Sequence, residues 1–377
     1  MDFDKVFSWC EEHAREQVEL LKTVAAIPSP SHDEGRRVEF LTEYLAGLGA
    51  EGVAVDEAQN VILPFGDTTK PAYVYTAHTD VVFPDTTPLP VVEDGEFLRA
   101  PGIGDDTANI SAMLMMAKYI FSNGLKPKEP VLFIFNSCEE GLGNLKGARR
   151  IFADRKGLVR EFLSFDGCYD STVYRAVGSE RWRVKASTCG GHSFSAFGNP
   201  NAIAYLAQLI MKLDAQPVPQ AEGTKTTYNF GTISGGTSIN AIAQDAEMLY
   251  EYRSDYVAFL SQMREQLKSA VAECECERAH FDLELLGERP CGENVDPAAE
   301  EALLARISDA AESVTGKKIR RRSASTDANI PLSLGVPAAT FGLYMGYGEH
   351  TREEYLETPS LLVGLKIGMK IVLPHFE

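Results

Sequence analysis

Apolar residues recur along this chain at two periods, one near four residues and one of two, and the alternation between them predicts the architecture. Val6, Phe7, Val18, Leu20 and Leu21 fall at helical spacing among charged residues, so residues 3–23 read as one amphipathic surface helix. The prolines of Ile27-Pro-Ser-Pro30 forbid its continuation. Val38, Leu41, Tyr44 and Leu45 share a face of a second helix over about residues 34–48, with glycines after it. Short β-like runs follow at 53–55, 61–64 and 72–76, the last apolar on both sides and therefore central in a sheet. A proline-rich crossing leads to Gly102-Ile-Gly-Asp105-Asp106 and a strongly apolar helix over 110–121. Residues 131–135 and 162–165 read as buried strands. Strands alternating with helices imply α/β architecture, a mainly parallel mixed sheet flanked by helices, with ligands gathering beyond the carboxyl ends of the strands.

The pattern changes near Ser179. Residues 181–188 alternate like a half-exposed strand, a helix spans about 201–213, strands follow at 227–233 and 246–252, and a long polar helix over 256–275 precedes a strand at 281–286. This is an α+β block the size of a small domain. From Pro297 the α/β pattern resumes with a helix (298–314), a basic strand (317–322), an apolar strand (336–341) and a final helix (360–373). The expected organisation is a discontinuous outer domain, residues 1–178 and 288–377, with an inserted lid or dimerisation domain at 179–287.

A chain of 377 residues exceeds the size at which one core keeps growing, which agrees with two domains. The formal net charge of -18 argues against nucleic acid or anionic membrane as a partner, since both need a basic face. The amino terminus lacks a basic head followed by an apolar core, and no apolar run is long enough to span a bilayer. Seven cysteines, an odd number without a dense pattern, suggest free thiols in a reducing, cytoplasmic compartment. Cys274-Glu-Cys276 has no second pair to complete four metal ligands and reads as a helix end.

Chemistry concentrates at strand ends. In Tyr75-Thr-Ala-His78-Thr-Asp80, alternation puts His78 and Asp80 on one side, which lets the acid orient the imidazole for a cation. Asp105 with Asp106, Glu139 with Glu140, and Asp166 follow at other strand ends or adjoining loops, and His350 lies in the glycine-rich loop Gly346-Tyr-Gly-Glu-His350-Thr. Taken singly each acid reads as a helix cap or a solvated turn. Taken together, so many carboxylates in one crevice would repel one another unless protonated or neutralised by cations. Three ligating carboxylates, two neutral imidazoles and a hydroxide nearly balance two zinc ions, with one acid left to move protons.

The ordered series resembles the co-catalytic dinuclear zinc peptidases and deacylases, a family that includes glutamate carboxypeptidase, peptidase T, acetylornithine deacetylase and succinyl-diaminopimelate desuccinylase. The resemblance covers nearly the whole chain: Ile27-Pro-Ser-Pro30, His78-Thr-Asp80, Gly102-Ile-Gly-Asp105-Asp106, Glu139-Glu140-Gly141, Asp166, Gly191-His192, Gly235 to Asn240 with Arg253, and Thr326-Asp327-Ala328. It implies that Asp105 bridges two metals, with His78 and Asp166 completing one site and Glu140 and His350 the other. Sequence alone does not choose between Asp105 and Asp106. Asp80 would orient His78, and Glu139 would be the general base. It would take a proton from a metal-activated water and return it to the leaving nitrogen. His192, Asn240 and Arg253, all in the inserted block, would contact the substrate, with His192 reaching a site in its own or a partner subunit. Ala243 and Ser325 depart from residues common in the family, a proline and a glycine, near the presumed substrate end. Tyr344 and Tyr347 are candidates to line the pocket.

The implied activity is cleavage of peptide bonds by a two-metal-activated water, as a di- or tripeptidase or carboxypeptidase. The alternatives are an N-acyl-amino-acid deacylase and a non-catalytic metal-bearing binding protein. Zinc, cobalt and manganese all suit this oxygen and nitrogen donor set. The expected partners are a small peptide or N-acyl-amino-acid substrate and a second copy of the chain, paired through the inserted domain.

Overall fold

The structure, a computed structural model, describes residues 1–292 and 294–377, and these divide into two compact units, residues 1–176 with 294–377, and Val177–Gly292. The first unit is built on an eight-stranded mixed sheet. Its order is Ala54–Val55, Val61–Phe65, Val131–Asn136, Ala72–His78, Val159–Ser164, Ala338–Phe341, Ser171–Ala176 and Arg320–Ala324. The four middle strands, Val131–Asn136 to Ala338–Phe341, run parallel to one another.

Both faces of those strands are covered, which explains why they read as unbroken apolar runs. Tyr75, Ala77, Phe133 and Phe135 point into a core shared with the helices Phe3–Glu12, Ala14–Ala25, Gly35–Gly47, Thr107–Ser122, Pro297–Thr315 and Thr358–Val372. Their neighbours Val74, Leu132 and Ile134 point the other way, against Ala148, Ile151, Ile330 and Leu332. The helix Thr107–Ser122 lies deepest, with Ile110, Met113, Leu114, Met115 and Met116 all fully buried. No helix among the described residues is long and apolar enough to cross a membrane.

Three local features depart from the sequence reading. The first helix is two, Phe3–Glu12 and Ala14–Ala25, because His13 leaves helical geometry; its ring stacks on Trp9, with Nδ1 2.9 Å from the Trp9 carbonyl. The basic strand begins at Arg320 instead of residue 317, since Gly316 closes the preceding helix in the left-handed conformation (φ 68°). The proline-rich crossing contains two short strands, Val92–Asp94 and Phe97–Arg99, which join Gly346–Tyr347 and Tyr355–Glu357 in a small antiparallel sheet. Strands of two or three residues are too short to show a period, and the same holds in part for Ser171–Ala176, which the sequence reading also passed over.

The second unit is an antiparallel sheet in the order Thr226–Gly235, Asp245–Ser254, Gly178–Ser187, His280–Arg289. Val184, Ala186, Met248, Tyr250 and Tyr252 form its core with Leu206, Leu209, Leu260, Met263 and Leu267 of the helices Ala202–Asp214 and Val257–Cys274. A separate two-stranded ribbon pairs Gly191–His192 with Ala241–Ile242.

Phe133 sits at the centre of the main core and meets Phe65 and Tyr75 edge to face. Replacing it with alanine is expected to cost about 3–5 kcal/mol. The loss would be read as a fall in the urea midpoint without a change in slope.

Candidate metal centre

His78, Glu139, Glu140 and Asp166 lie at or just beyond the carboxyl ends of three neighbouring parallel strands, and Asp105 and His350 lie on loops. His78 ends the strand Ala72–His78 and is almost fully buried. Its Nε2 lies 2.9 Å from Asp105 Oδ1. Its Nδ1 lies 3.0 Å from the Asp80 carbonyl oxygen and 3.4 Å from Asp80 Oδ1. The ring is therefore fixed from behind by Asp80 through main chain and side chain together. The Asp80 carboxylate also accepts hydrogen bonds from the backbone N–H of Glu139 (2.9 Å) and of Glu140 (3.0 Å) and from Ser31 Oγ (2.6 Å).

Asp105 faces two imidazoles, one oxygen to each: Oδ1 to His78 and Oδ2, at 3.2 Å, to His350 Nε2. His350 Nε2 is 3.0 Å from Glu140 Oε1. Asp106, joined to Asp105 by a cis peptide bond, is turned differently, with Oδ2 accepting the His78 backbone N–H at 2.8 Å and Oδ1 accepting from Asn109 Nδ2. Donor atoms gather in three overlapping groups, each with its atoms within 4.8 Å of one another: His78, Asp105, Asp106 and Asp166; His78, Glu139 and Glu140; Asp105, Glu140 and His350. Asp105 belongs both to the group with Asp166 and to the group with Glu140 and His350.

Two close approaches hold the loops. A Cβ at Gly342 would come 1.4 Å from the Gly167 carbonyl oxygen, so only glycine lets the segment leading to His350 pass the turn after Asp166. Glu354, which the sequence reading missed, is buried and accepts N–H bonds from Gly102 (2.6 Å), Gly104 (2.9 Å) and Asp105 (2.9 Å). It ties the loop carrying His350 to the loop carrying Asp105. One of two adjacent glutamates in Arg352-Glu-Glu-Tyr355 gives no sequence signal for this, because its partners are backbone groups 249 to 252 residues away in the chain. Asp327, quoted only as part of a motif, is buried and accepts from Asn136 Nδ2 at 2.6 Å. Tyr344 is fully buried and packs on Gly104, whereas Tyr347 is half-exposed.

The electrostatics shows what the donors lack. Burial pushes Glu140 up to about 7, with Asp105 and Glu139 adding repulsion against the pull of His350. Burial, then Asp105, raise Asp166 well above the carboxylate range, and burial does the same to Asp106. Burial works against a charged His78, yet Asp106, Asp105 and Asp80 outweigh it and raise the imidazole. Hydrogen bonds to Asp105 and Glu140 raise His350 to about 11. Asp105 is held low: burial opposes this, and the bonds to His350 and His78 overcome it. Without cations, protons on these imidazoles and carboxyls would have to balance the cluster's charge. Divalent cations would do so better, and the donor types and spacing fit them.

His192, Asn240 and Arg253 lie in the second unit. His192 and Asn240 are exposed; His192 pairs with Ala241 in the ribbon, and just beyond it the Asn240 carbonyl accepts the Ser193 N–H at 2.9 Å. His192 Nδ1 faces the N–H groups of Phe194 and Ser195 at 3.3 and 3.4 Å. Arg253, on the strand Asp245–Ser254, directs Nε and Nη2 at Glu251, both at 2.9 Å.

This cluster of imidazoles and carboxylates, buried or half-buried apart from His350, is a candidate site for divalent cations. The chain belongs to peptidase family M20/M25/M40, whose sequence model matches residues 74–373, and the members of this family are metal-dependent hydrolases and peptidases. It is 25% identical over 375 residues to a succinyl-diaminopimelate desuccinylase of Methylorubrum extorquens, covering 91% of this chain and 94% of that one. The fold is shared with a tripeptidase of Staphylococcus aureus (TM-score 0.76, 20% identity, 96% of this chain and 98% of the other). It is shared too with YXEP of Bacillus subtilis, described as a dinuclear metal-binding peptidase (TM-score 0.65, 16% identity, 96% and 98%).

The sign of the pH effect follows from these shifts. Glu140, raised from 4.5 to about 7, favours the metal-free fold below pH 4.5 and ceases to do so as pH rises through 7. His350, raised from 6.5 to about 11, contributes stability that is full below 6.5 and fades above it. Metal-free protein should therefore lose stability from pH 5 to pH 8. Added divalent cation should raise Tm more at pH 8 than at pH 5 and release protons on binding. Melting curves with and without chelator, and proton release by calorimetry in buffers of different ionisation enthalpy, measure both.

Proposed function

We propose that this protein hydrolyses peptide or N-acyl-amino-acid amide bonds of small substrates with a pair of divalent cations, most suitably zinc. The observation that carries the reading is the two-sided Asp105 carboxylate between His78 and His350, with Glu139 beside the donor Glu140. On this reading His78, Asp105 and Asp166 would hold one cation, and Asp105, Glu140 and His350 the other; cobalt or manganese would also suit the donors.

When bound, the cations supply Lewis acidity that polarises the scissile carbonyl and an attacking water. The chain's own groups do the rest. Glu139, near His78 and Glu140, takes the proton from that water and delivers it to the leaving nitrogen, the role its place beside a ligand suits. Asp80 keeps His78 turned and the Glu139-Glu140 turn in place. His192 and Asn240, both exposed at the ribbon, each offer a polar side chain to a substrate, and a donor at the developing oxyanion is worth about 3–4 kcal/mol. Arg253 suits a planar carboxylate, and its pairing with Glu251 fixes the guanidinium plane.

Cleavage of a peptide is the first reading. Deacylation of an N-acyl amino acid is the second, favoured by similarity to the desuccinylase over nearly the full chain. The seven free cysteines suit a reducing, cytoplasmic compartment. The second unit exposes Phe194 (87%), Phe197 (91%), Met211 (67%) and Ile233 (58%), apolar area that suits pairing of two copies through this unit.

Hydrolysis of a panel of dipeptides, tripeptides and N-acyl amino acids, with and without chelator, tests the reading. Turnover abolished by chelator and restored by zinc is expected; metal uptake without turnover on any member would leave a binding protein instead. Glu139→Ala should keep its metal and lose activity by about 100- to 10,000-fold. Parental rates from that variant would discard the assigned base. Light scattering should give twice the chain mass, and Phe197→Asp with Met211→Asp should reduce it to one.

A further inference from the structure

The helix Gly35–Gly47 offers no donor to the cluster, yet two charged side chains at its start, Glu34 and Arg37, are each 2% exposed. Burying charge is costly, and apolar residues would pack this helix without that cost. What the charges contact explains them. Glu34 Oε1 accepts from the backbone N–H of Cys138 at 3.2 Å, from the Cys138 thiol at 3.1 Å and from the His32 N–H at 3.0 Å. Cys138 stands directly before Glu139 and holds a left-handed backbone (φ 57°), a conformation that a side chain with a Cβ resists unless its surroundings impose it. Arg37 Nη1 donates to the Thr79 carbonyl at 2.9 Å, between His78 and Asp80, and lies 3.5 Å from Thr107 Oγ1, next after Asp106. Its Nη2 donates to the carbonyls of Ile27 (2.9 Å) and Val24 (3.3 Å). One helix start therefore grips the turn that carries Glu139 and Glu140, the turn that carries His78 and Asp80, and the residue after the Asp105-Asp106 pair.

We propose that Glu34 and Arg37 are positioning residues of the hydrolytic centre, Glu34 fixing the aim of Glu139 through Cys138 and Arg37 fixing His78 through Thr79. The inference rests on the reading of the cluster as a two-cation hydrolytic site. The side chains act only through backbone groups, so their loss should displace the base and the ligand without removing either.

The test compares Glu34→Ala, Glu34→Gln, Arg37→Met and Arg37→Lys with the parent. It reads kcat and KM at saturating zinc, zinc affinity by competition with a chromogenic chelator, and the urea midpoint. Glu34→Ala should lower kcat on the order of 100-fold, the scale of a displacement of about 1 Å, with KM little changed. Glu34→Gln, which keeps one oxygen acceptor, should recover most of that loss. Arg37→Met should weaken zinc binding about 10- to 100-fold, as loss of a group supporting a ligand does. Should Arg37→Met not fold, Arg37→Lys, which keeps the charge but not the fork, should fold and still bind zinc more weakly. Variants that lower only the urea midpoint, with kcat per folded molecule and zinc affinity at parental values, overturn the proposal. Absence of turnover in the parent would instead sink the hydrolytic reading, and zinc affinity in the same variants would still decide the positioning of His78.

Discussion

Mutual repulsion among carboxylates is the constraint around which this molecule is arranged, and Asp80 is where it is met most directly. Its two oxygens take N–H bonds from consecutive residues, Glu139 and Glu140, which belong to a neighbouring strand's end, and Ser31 closes the third side. The same residue braces His78 from behind. An acid that would otherwise add to the repulsion is thus neutralised by main-chain dipoles, and the bonds that neutralise it fix the spacing between two strands' worth of functional groups. Charge-assisted bonds of this kind are worth about 1.5–3 kcal/mol each. Two of the three bonds on this buried carboxylate come from the Glu139-Glu140 turn and tie it to the end of the neighbouring strand.

The support is layered around that residue. Glu354 does for Asp105 what Asp80 does for the Glu139-Glu140 turn, collecting the N–H groups of Gly102, Gly104 and Asp105. The small sheet formed by Val92–Asp94, Phe97–Arg99, Tyr355–Glu357 and Gly346–Tyr347 brackets the loop that carries His350. The donors differ accordingly in depth: His78 is closed off, whereas the His350 side chain is 57% exposed at the rim. One end of the centre is packed into the sheet, and the other lies at the surface.

How much of this could be read from the chain depends on the range of the interaction. Tyr75 to Asp80, Val131 to Glu140 and Phe162 to Asp166 were legible because a doubly buried strand writes itself as an apolar run and its last residues follow in sequence. Thr107–Ser122 was legible for its unbroken apolar character. The break at His13 was not, since it turns on one imidazole capping a carbonyl inside an otherwise periodic stretch. Glu354, Glu34 and Arg37 were not, since each looks like an ordinary surface charge until its backbone partners arrive from distant segments. Asp105 and Asp106 differ in a way that a sequence cannot show: Asp105 presents one oxygen to each imidazole, while Asp106 accepts the His78 N–H and a bond from Asn109.

The interruption of the first unit by the second has a bearing on biosynthesis. The strand Ala338–Phe341 lies between Val159–Ser164 and Ser171–Ala176 in the finished sheet, yet it is translated after every residue of the inserted unit, whose last strand ends at Arg289. On the ribosome the insertion can complete its own core while the larger sheet still lacks an inner strand and the helices Pro297–Thr315 and Thr358–Val372 that cover it. Until the carboxyl-terminal segment emerges, the edge of Val159–Ser164 and the apolar face of Thr107–Ser122 stay uncovered. Nascent chains of this protein therefore expose that strand edge and that helix face until the carboxyl-terminal segment is made.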